Sequence, residues 1–193
     1  MRARVVKAAG VALVAALAVG GGGCYRGTAR AVSLADIDRE PGWVVVRGVP
    51  VVPQQSAHDC GAAALAMVLA HWGIPDAAPE IRRVASDGAE GRASAGSLRR
   101  FARDKGLRAF LISGGAADLE HEVGAQRPVL VGLVQRYAGN KALSHYEVVI
   151  GYNAATRRVL LLDPGHGPRV DELDAFDREW RPTGRLTLVV APS

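Results

Sequence analysis

The chain has 193 residues, 49% hydrophobic and 22% charged, a composition that suits one globular domain with its own core. Its net charge is +5, but Arg2, Arg4 and Lys7 carry three of those charges ahead of Cys24, so a product beginning at Cys24 holds only +2. With aromatics at 5% and no basic stripe interleaved with them, the composition argues against nucleic acid as a partner. Two cysteines, Cys24 and Cys60, make no disulfide framework. Five histidines without Cys-x-x-Cys or His-Glu-x-x-His spacing predict no metal site.

Residues 1–23 have the layout of an export signal. Arg2, Arg4 and Lys7 form a positive start, an apolar stretch runs over 11–19, and four glycines follow. The apolar part is short for a transmembrane helix. Cys24 after small residues resembles the lipobox of bacterial lipoproteins, with Gly21 where an aliphatic residue is usual. That resemblance implies lipidation at Cys24, a lipid-anchored protein of the cell envelope, and a periplasmic or exterior location. Residues 24–43 are polar, lack periodicity and read as a lipidated tether.

The folded domain is expected over 44–193. A β-branched strand is predicted at 43–47. A helix of small apolar residues at 60–71 stops at Gly73 and Pro75. Further helices are predicted at 79–86 and at 94–105, the latter with Leu98, Phe101 and Ala102 at helical spacing. A strand at 107–112, a helix at 116–125 and an apolar strand at 128–134 follow. Strands at 144–152 and 157–162 flank a turn, and a last strand covers 186–190. Helices first and an antiparallel sheet after them predict an α+β fold.

Chemistry concentrates at Cys60. Asp59 stands where a helix N-cap is expected, which puts Cys60 in the first turn. There the helix dipole and free N–H groups favour a thiolate, so a reactive, partly exposed thiol of depressed pKa is predicted. A thiolate needs a base and a group that orients the base. Pairing the strands about 153–156, with residue numbers summing to about 308–309, sets His145 opposite Asp163 or one residue away. A carboxylate there holds an imidazole in one tautomer and stabilises its charged form. His166, beyond Asp163-Pro164-Gly165, is the rival base and falls in a turn.

These residues together resemble the double-glycine leader peptidases, papain-like cysteine proteases of bacteriocin maturation. The matching segments are Gln54 through Gly73, His145-Tyr146-Glu147-Val148-Val149, Leu162-Asp163-Pro164 and the tail from Phe176 to Trp180. The resemblance implies a papain-like fold, Cys60 as nucleophile, His145 as general base and acid, and Asp163 as orienter. It also implies Gln54 as an oxyanion donor beside the Cys60 N–H, with Gln55 less well spaced. The substrate implied is an extended peptide or protein, cut after small residues such as Gly-Gly. Secretion-system components are implied partners. No phosphate-binding Gly-rich loop is found, and no cofactor is expected. Two other readings stand beside peptide hydrolysis: an amidase or acyltransferase on cell-wall peptides, and a peptide-binding module without turnover.

Overall fold

The computed structural model describes residues 25–88 and 91–193. The segment expected to be an export signal, and Cys24, lie outside the described residues. In chain order the elements are β1 (Arg30–Ala31), α1 (Leu34–Arg39), β2 (Trp43–Val45), α2 (Cys60–His71), α3 (Ala78–Ala85) and α4 (Ala95–Asp104). Then come β3 (Arg108–Ser113), α5 (Ala116–Gly124), β4 (Val129–Arg136), β5 (Ala142–Asn153), β6 (Arg158–Asp163), β7 (Gly167–Glu172), α6 (Leu173–Trp180) and β8 (Leu186–Ala191).

Helix α2 is buried at every residue from Cys60 to Leu69. A helix apolar all round must be covered all round, and α2 packs on β4 and β5 as well as on α3 and α4. Helix α4 turns its stripe of Leu98, Phe101 and Ala102 inward. Ser94 caps it, the hydroxyl accepting from the Ser97 N–H at 3.1 Å. The strands form one antiparallel sheet in the order β1-β7-β6-β5-β4-β8-β3, with β2 paired to the far end of β5. Strands β4 and β6 are buried on nearly every consecutive residue, so both faces of the sheet centre are covered.

The α+β architecture and the helix-then-sheet order match the expectation, with element ends within about two residues. Four elements were not foreseen: β1, α1, β7 and α6. The first two lie in the stretch read as a tether. Ser33 caps α1, its hydroxyl accepting from the Ala35 N–H, and Ile37 is buried in the main core. Residues 25–43 are therefore part of the domain. Helix α6 buries Leu173, Phe176 and Trp180, and the Trp180 indole donates to the Leu186 carbonyl at 3.0 Å.

The hairpin register also differs. Val148 pairs with Leu162 and Val149 with Leu161, so the numbers sum to 310, and beyond a bulge between Val149 and Gly151 they sum to 311. The turn falls one residue later than expected, at 154–157, which raises the sum by two, and the bulge takes one back. On this register Glu147, not His145, falls directly opposite Asp163.

Candidate active site

Helix α2 places the thiol. Gly61 lets its first turn close on β5: a Cβ there would lie 3.0 Å from Tyr146 Cδ2 and 3.4 Å from Leu98 Cδ1. Tyr146 follows His145, so this close approach sets the thiol beside the imidazole. Cys60 is 4% exposed, more enclosed than the expected partly exposed thiol.

Asp59 does not cap the helix. Its φ of −108° and ψ of 15° are not the extended conformation that turns a cap side chain onto the first N–H groups. The buried carboxylate instead accepts from the Gln55 and Ser56 N–H groups at 3.0–3.1 Å and pairs with Arg82 at 3.0 Å. Asp59 thus fixes the 54–59 loop, and its charge is compensated away from the sulfur.

His145 and Asp163 meet despite the register shift. They are diagonal rather than direct neighbours, a span an imidazole can bridge. His145 Nε2 lies 2.9 Å from Asp163 Oδ1. That leaves Nδ1 for the Cys60 thiol, with which His145 shares a hydrogen bond. Burial pushes the Cys60 thiol up, but the hydrogen bond and charge of His145, the Tyr146 N–H and Arg92 together bring it below its ordinary value. Burial alone would lower the His145 pKa. Hydrogen bonds to Asp163 and Cys60 and the charges of Glu147 and Asp163 outweigh it and raise the imidazole to about 10. The two shifts run in the directions that favour a thiolate beside an imidazolium.

Asp163 is fully buried and fully bonded. Oδ1 also accepts from the Gly165 N–H at 2.7 Å, while Oδ2 meets Arg169 Nη1 at 2.7 Å and His166 Nδ1 at 2.8 Å. Burial opposes its charge, but His145, the Gly165 N–H and His166 hold the carboxyl well below its usual range. His166, in the turn after β6, shares this carboxylate but is 61% exposed. Gln54 is tied to the same turn: its N–H donates to the Pro164 carbonyl at 3.0 Å. Its amide carbon would lie 3.7 Å from a Cβ on Gly165. The Gln54 side-chain oxygen is buried without a hydrogen-bond partner.

A second polar layer behind Asp163 was not foreseen. Arg169 Nη1 reaches Glu147 Oε1 at 3.2 Å as well as Asp163, and Gln135 donates to the same Glu147 oxygen at 2.7 Å. Tyr25 lays its ring over the Arg169 guanidinium, 4.6 Å from centroid to carbon. The signal for Glu147 was present: it shares a strand face with His145 in an otherwise apolar run. His145, Glu147 and Asp163 bring ligand atoms within 4.8 Å of one another, a spacing that suits a cation. Arg169 bridges the two carboxylates there, so the chain supplies that positive charge itself.

Three likenesses agree with this geometry. The chain is 24% identical over 130 residues to the lactococcin-G-processing and transport ATP-binding protein LagD of Lactococcus lactis subsp. lactis. That stretch covers 67% of this chain and 17% of LagD, so the chain spans under a fifth of that relative. A double-glycine-motif protease from an AMS/PCAT transporter, solved with its leader peptide, is 27% identical with a TM-score of 0.58, covering 77% of this chain and 97% of that one. The peptidase domain of Streptococcus ComA, a bifunctional ABC transporter, is 25% identical with a TM-score of 0.61, covering 76% and 100%. The Peptidase C39 family matches residues 48–193. With a thiol, an imidazole and a carboxylate in line on a papain-like fold, the chain belongs to the Peptidase C39 family of cysteine peptidases.

Proposed function

We propose that the protein is an exported peptidase, lipid-anchored at Cys24, that cleaves an extended peptide through Cys60, His145 and Asp163. The observation that carries this reading is the 2.9 Å contact of His145 Nε2 with the buried Asp163 carboxylate, with the Cys60 thiol and His145 each shifting the other's pKa. The Cys60 thiolate attacks the scissile carbonyl, and a C–S bond forms. The backbone N–H of Cys60, at the start of α2, and the Gln54 amide donate to the developing oxyanion. The His145 imidazolium gives its proton to the leaving amine as the C–N bond breaks. A water, deprotonated by His145, then hydrolyses the thioester and returns the thiol. Asp163 keeps the ring oriented throughout.

The neighbour solved with a leader peptide supports a peptide ending in Gly-Gly as substrate, and the transport domains of the relatives support secretion-system components as partners. The positive start, apolar stretch and Cys24 support export and anchoring in the cell envelope. The test is cleavage of a Gly-Gly-containing fluorogenic peptide by wild type, Cys60→Ala, His145→Ala and His166→Ala. Loss in the first two and retention in the third are expected. Activity in His145→Ala with loss in His166→Ala would reverse the assignment. Fatty-acid labelling should disappear in Cys24→Ser, and equal labelling of that variant would remove the anchor.

A further inference from the structure

We propose that Arg169, held between Asp163 and Glu147 beneath the ring of Tyr25, is a positioning residue for the catalytic carboxylate, with Glu147 as the second acid that holds it there. The proposal rests on the reading of Cys60, His145 and Asp163 given above. A single nitrogen, Arg169 Nη1, donates to Asp163 Oδ2 at 2.7 Å and to Glu147 Oε1 at 3.2 Å. The side chain is 5% exposed. Every contact that fixes it is itself fixed. Gln135 Nε2 donates to Glu147 Oε1 at 2.7 Å, and the Tyr137 hydroxyl donates to Gln135 Oε1 at 2.9 Å, which sets the amide's orientation. Above, the Tyr25 hydroxyl donates to Glu179 Oε1 at 2.8 Å and so pins the ring that covers the guanidinium. The segment that reads as a tether thus supplies the roof of this layer.

A buried ion pair adds little net stability over well-packed apolar side chains, so stability alone is a poor reason for this one. Its consequence for the site is specific. Asp163 and Glu147 are buried carboxylates on adjacent strands, and Glu147 Oε1 lies 3.9 Å from His145 Nε2. Without a cation between them, two such carboxylates do not both stay ionised. Arg169 keeps Asp163 charged and aimed at His145. The charged and titratable groups that act on Glu147 are His145 on β5, Asp163 on β6, Arg169 on β7, Glu179 on α6 and the Tyr137 phenol. Burial and the charge of Asp163 raise Glu147, while His145 and Arg169 pull it down, and it comes to about 7. Its second oxygen, Oε2, is buried without a hydrogen-bond partner. Above neutrality Glu147 therefore adds a negative charge beside the imidazolium and extends the alkaline range over which His145 stays charged.

The experiment compares kcat, KM and the pH dependence of kcat/KM for Glu147→Gln, Arg169→Met and Arg169→Lys, with urea unfolding of each. Arg169→Met is expected to lower kcat about 10–100-fold with KM little changed, the usual cost of losing such a supporting contact. Arg169→Lys should recover part of that loss, since an ammonium can take the place of Nη1. Glu147→Gln, which keeps the side-chain shape, should move the alkaline limb to lower pH; it decides the matter if Arg169→Met does not fold. Wild-type kcat in Arg169→Met with an unmoved alkaline limb in Glu147→Gln would overturn the proposal, as would a loss in Arg169→Met that Lys does not relieve at all. Full turnover by Cys60→Ala would instead overturn the reading of the site on which the proposal rests.

Discussion

Asp163→Asn removes one charge and almost no volume, and the structure fixes what that costs. Four donors converge on the carboxylate: His145 and the Gly165 N–H on one oxygen, Arg169 and His166 on the other. An amide has one acceptor oxygen, so its NH2 must face two donors whichever way it is turned. A hydrogen bond to a charged group contributes about 1.5–3 kcal/mol. Arg169 keeps Glu147 as its remaining carboxylate, so the loss should fall near the about 3–5 kcal/mol typical of a broken buried pair. For a chain of this size each kcal/mol moves Tm by about 2–4 °C, which puts the fall at roughly 10 °C. The amide can still orient the imidazole in one of its two settings but cannot stabilise its charge, and turnover should drop about 10²–10⁴-fold with KM little changed. Thermal unfolding and steady-state kinetics on a Gly-Gly fluorogenic peptide give both quantities. Wild-type Tm with wild-type turnover would refute the bonding of Asp163 and its role together.

Three further outcomes are expected. Above 6.5, and between the lowered pKa of the folded Cys60 thiol and the 9.0 of the unfolded one, the Cys60–His145 pair binds one proton in both states, on the thiol when unfolded and on the imidazole when folded, so its contribution to stability is flat there. From 9.0 towards about 10 only the folded state keeps that proton and stability falls as pH rises. Urea unfolding across pH should show this plateau in wild type, whereas in Cys60→Ser stability should already decline above 6.5. Gln54→Ala should lower kcat about 10²–10³-fold, as loss of an oxyanion donor does, with Cys60 alkylation little changed; an unchanged kcat would remove it from the oxyanion site. Gly61→Ala sets a methyl 3.0 Å from the Tyr146 ring, so it should slow Cys60 alkylation by widening the gap between α2 and β5; an unaltered alkylation rate would show that the ring yields.

Much of this site is legible in the chain because its parts carry strong local patterns. The all-apolar run after Cys60 can only be a buried helix, and the apolar strands that carry His145 and Asp163 bracket an unmistakable turn. What was missed depends on tertiary packing. The turn after β5 lies one residue later than expected, and the continuous apolar run leading into it has no alternation to mark the register. The two-residue slip hid Glu147 behind the expected pairing of His145 with Asp163. Arg169 lies on β7, whose Gly-Pro-Arg-Val-Asp-Glu sequence has the composition of a loop and forms a strand only between β6 and β1. Ser33-Leu34-Ala35-Asp36 did carry the start signal of a helix, and Leu173, Phe176 and Trp180 carried helical spacing. Asp59 has the residue type of a helix cap, and the backbone conformation assigned its carboxylate to the loop instead.

The central claim is that Cys60 rests as a thiolate because His145 holds the proton. The most direct measurement is the rate of iodoacetamide alkylation of Cys60 against pH, in wild type and in His145→Ala. Wild type should react as a thiolate at lower pH than a free thiol does, and His145→Ala should return the profile to that of a free thiol, with a pKa of about 8.5 or higher. A wild-type profile like that of free cysteine, or one unchanged by His145→Ala, would contradict the account.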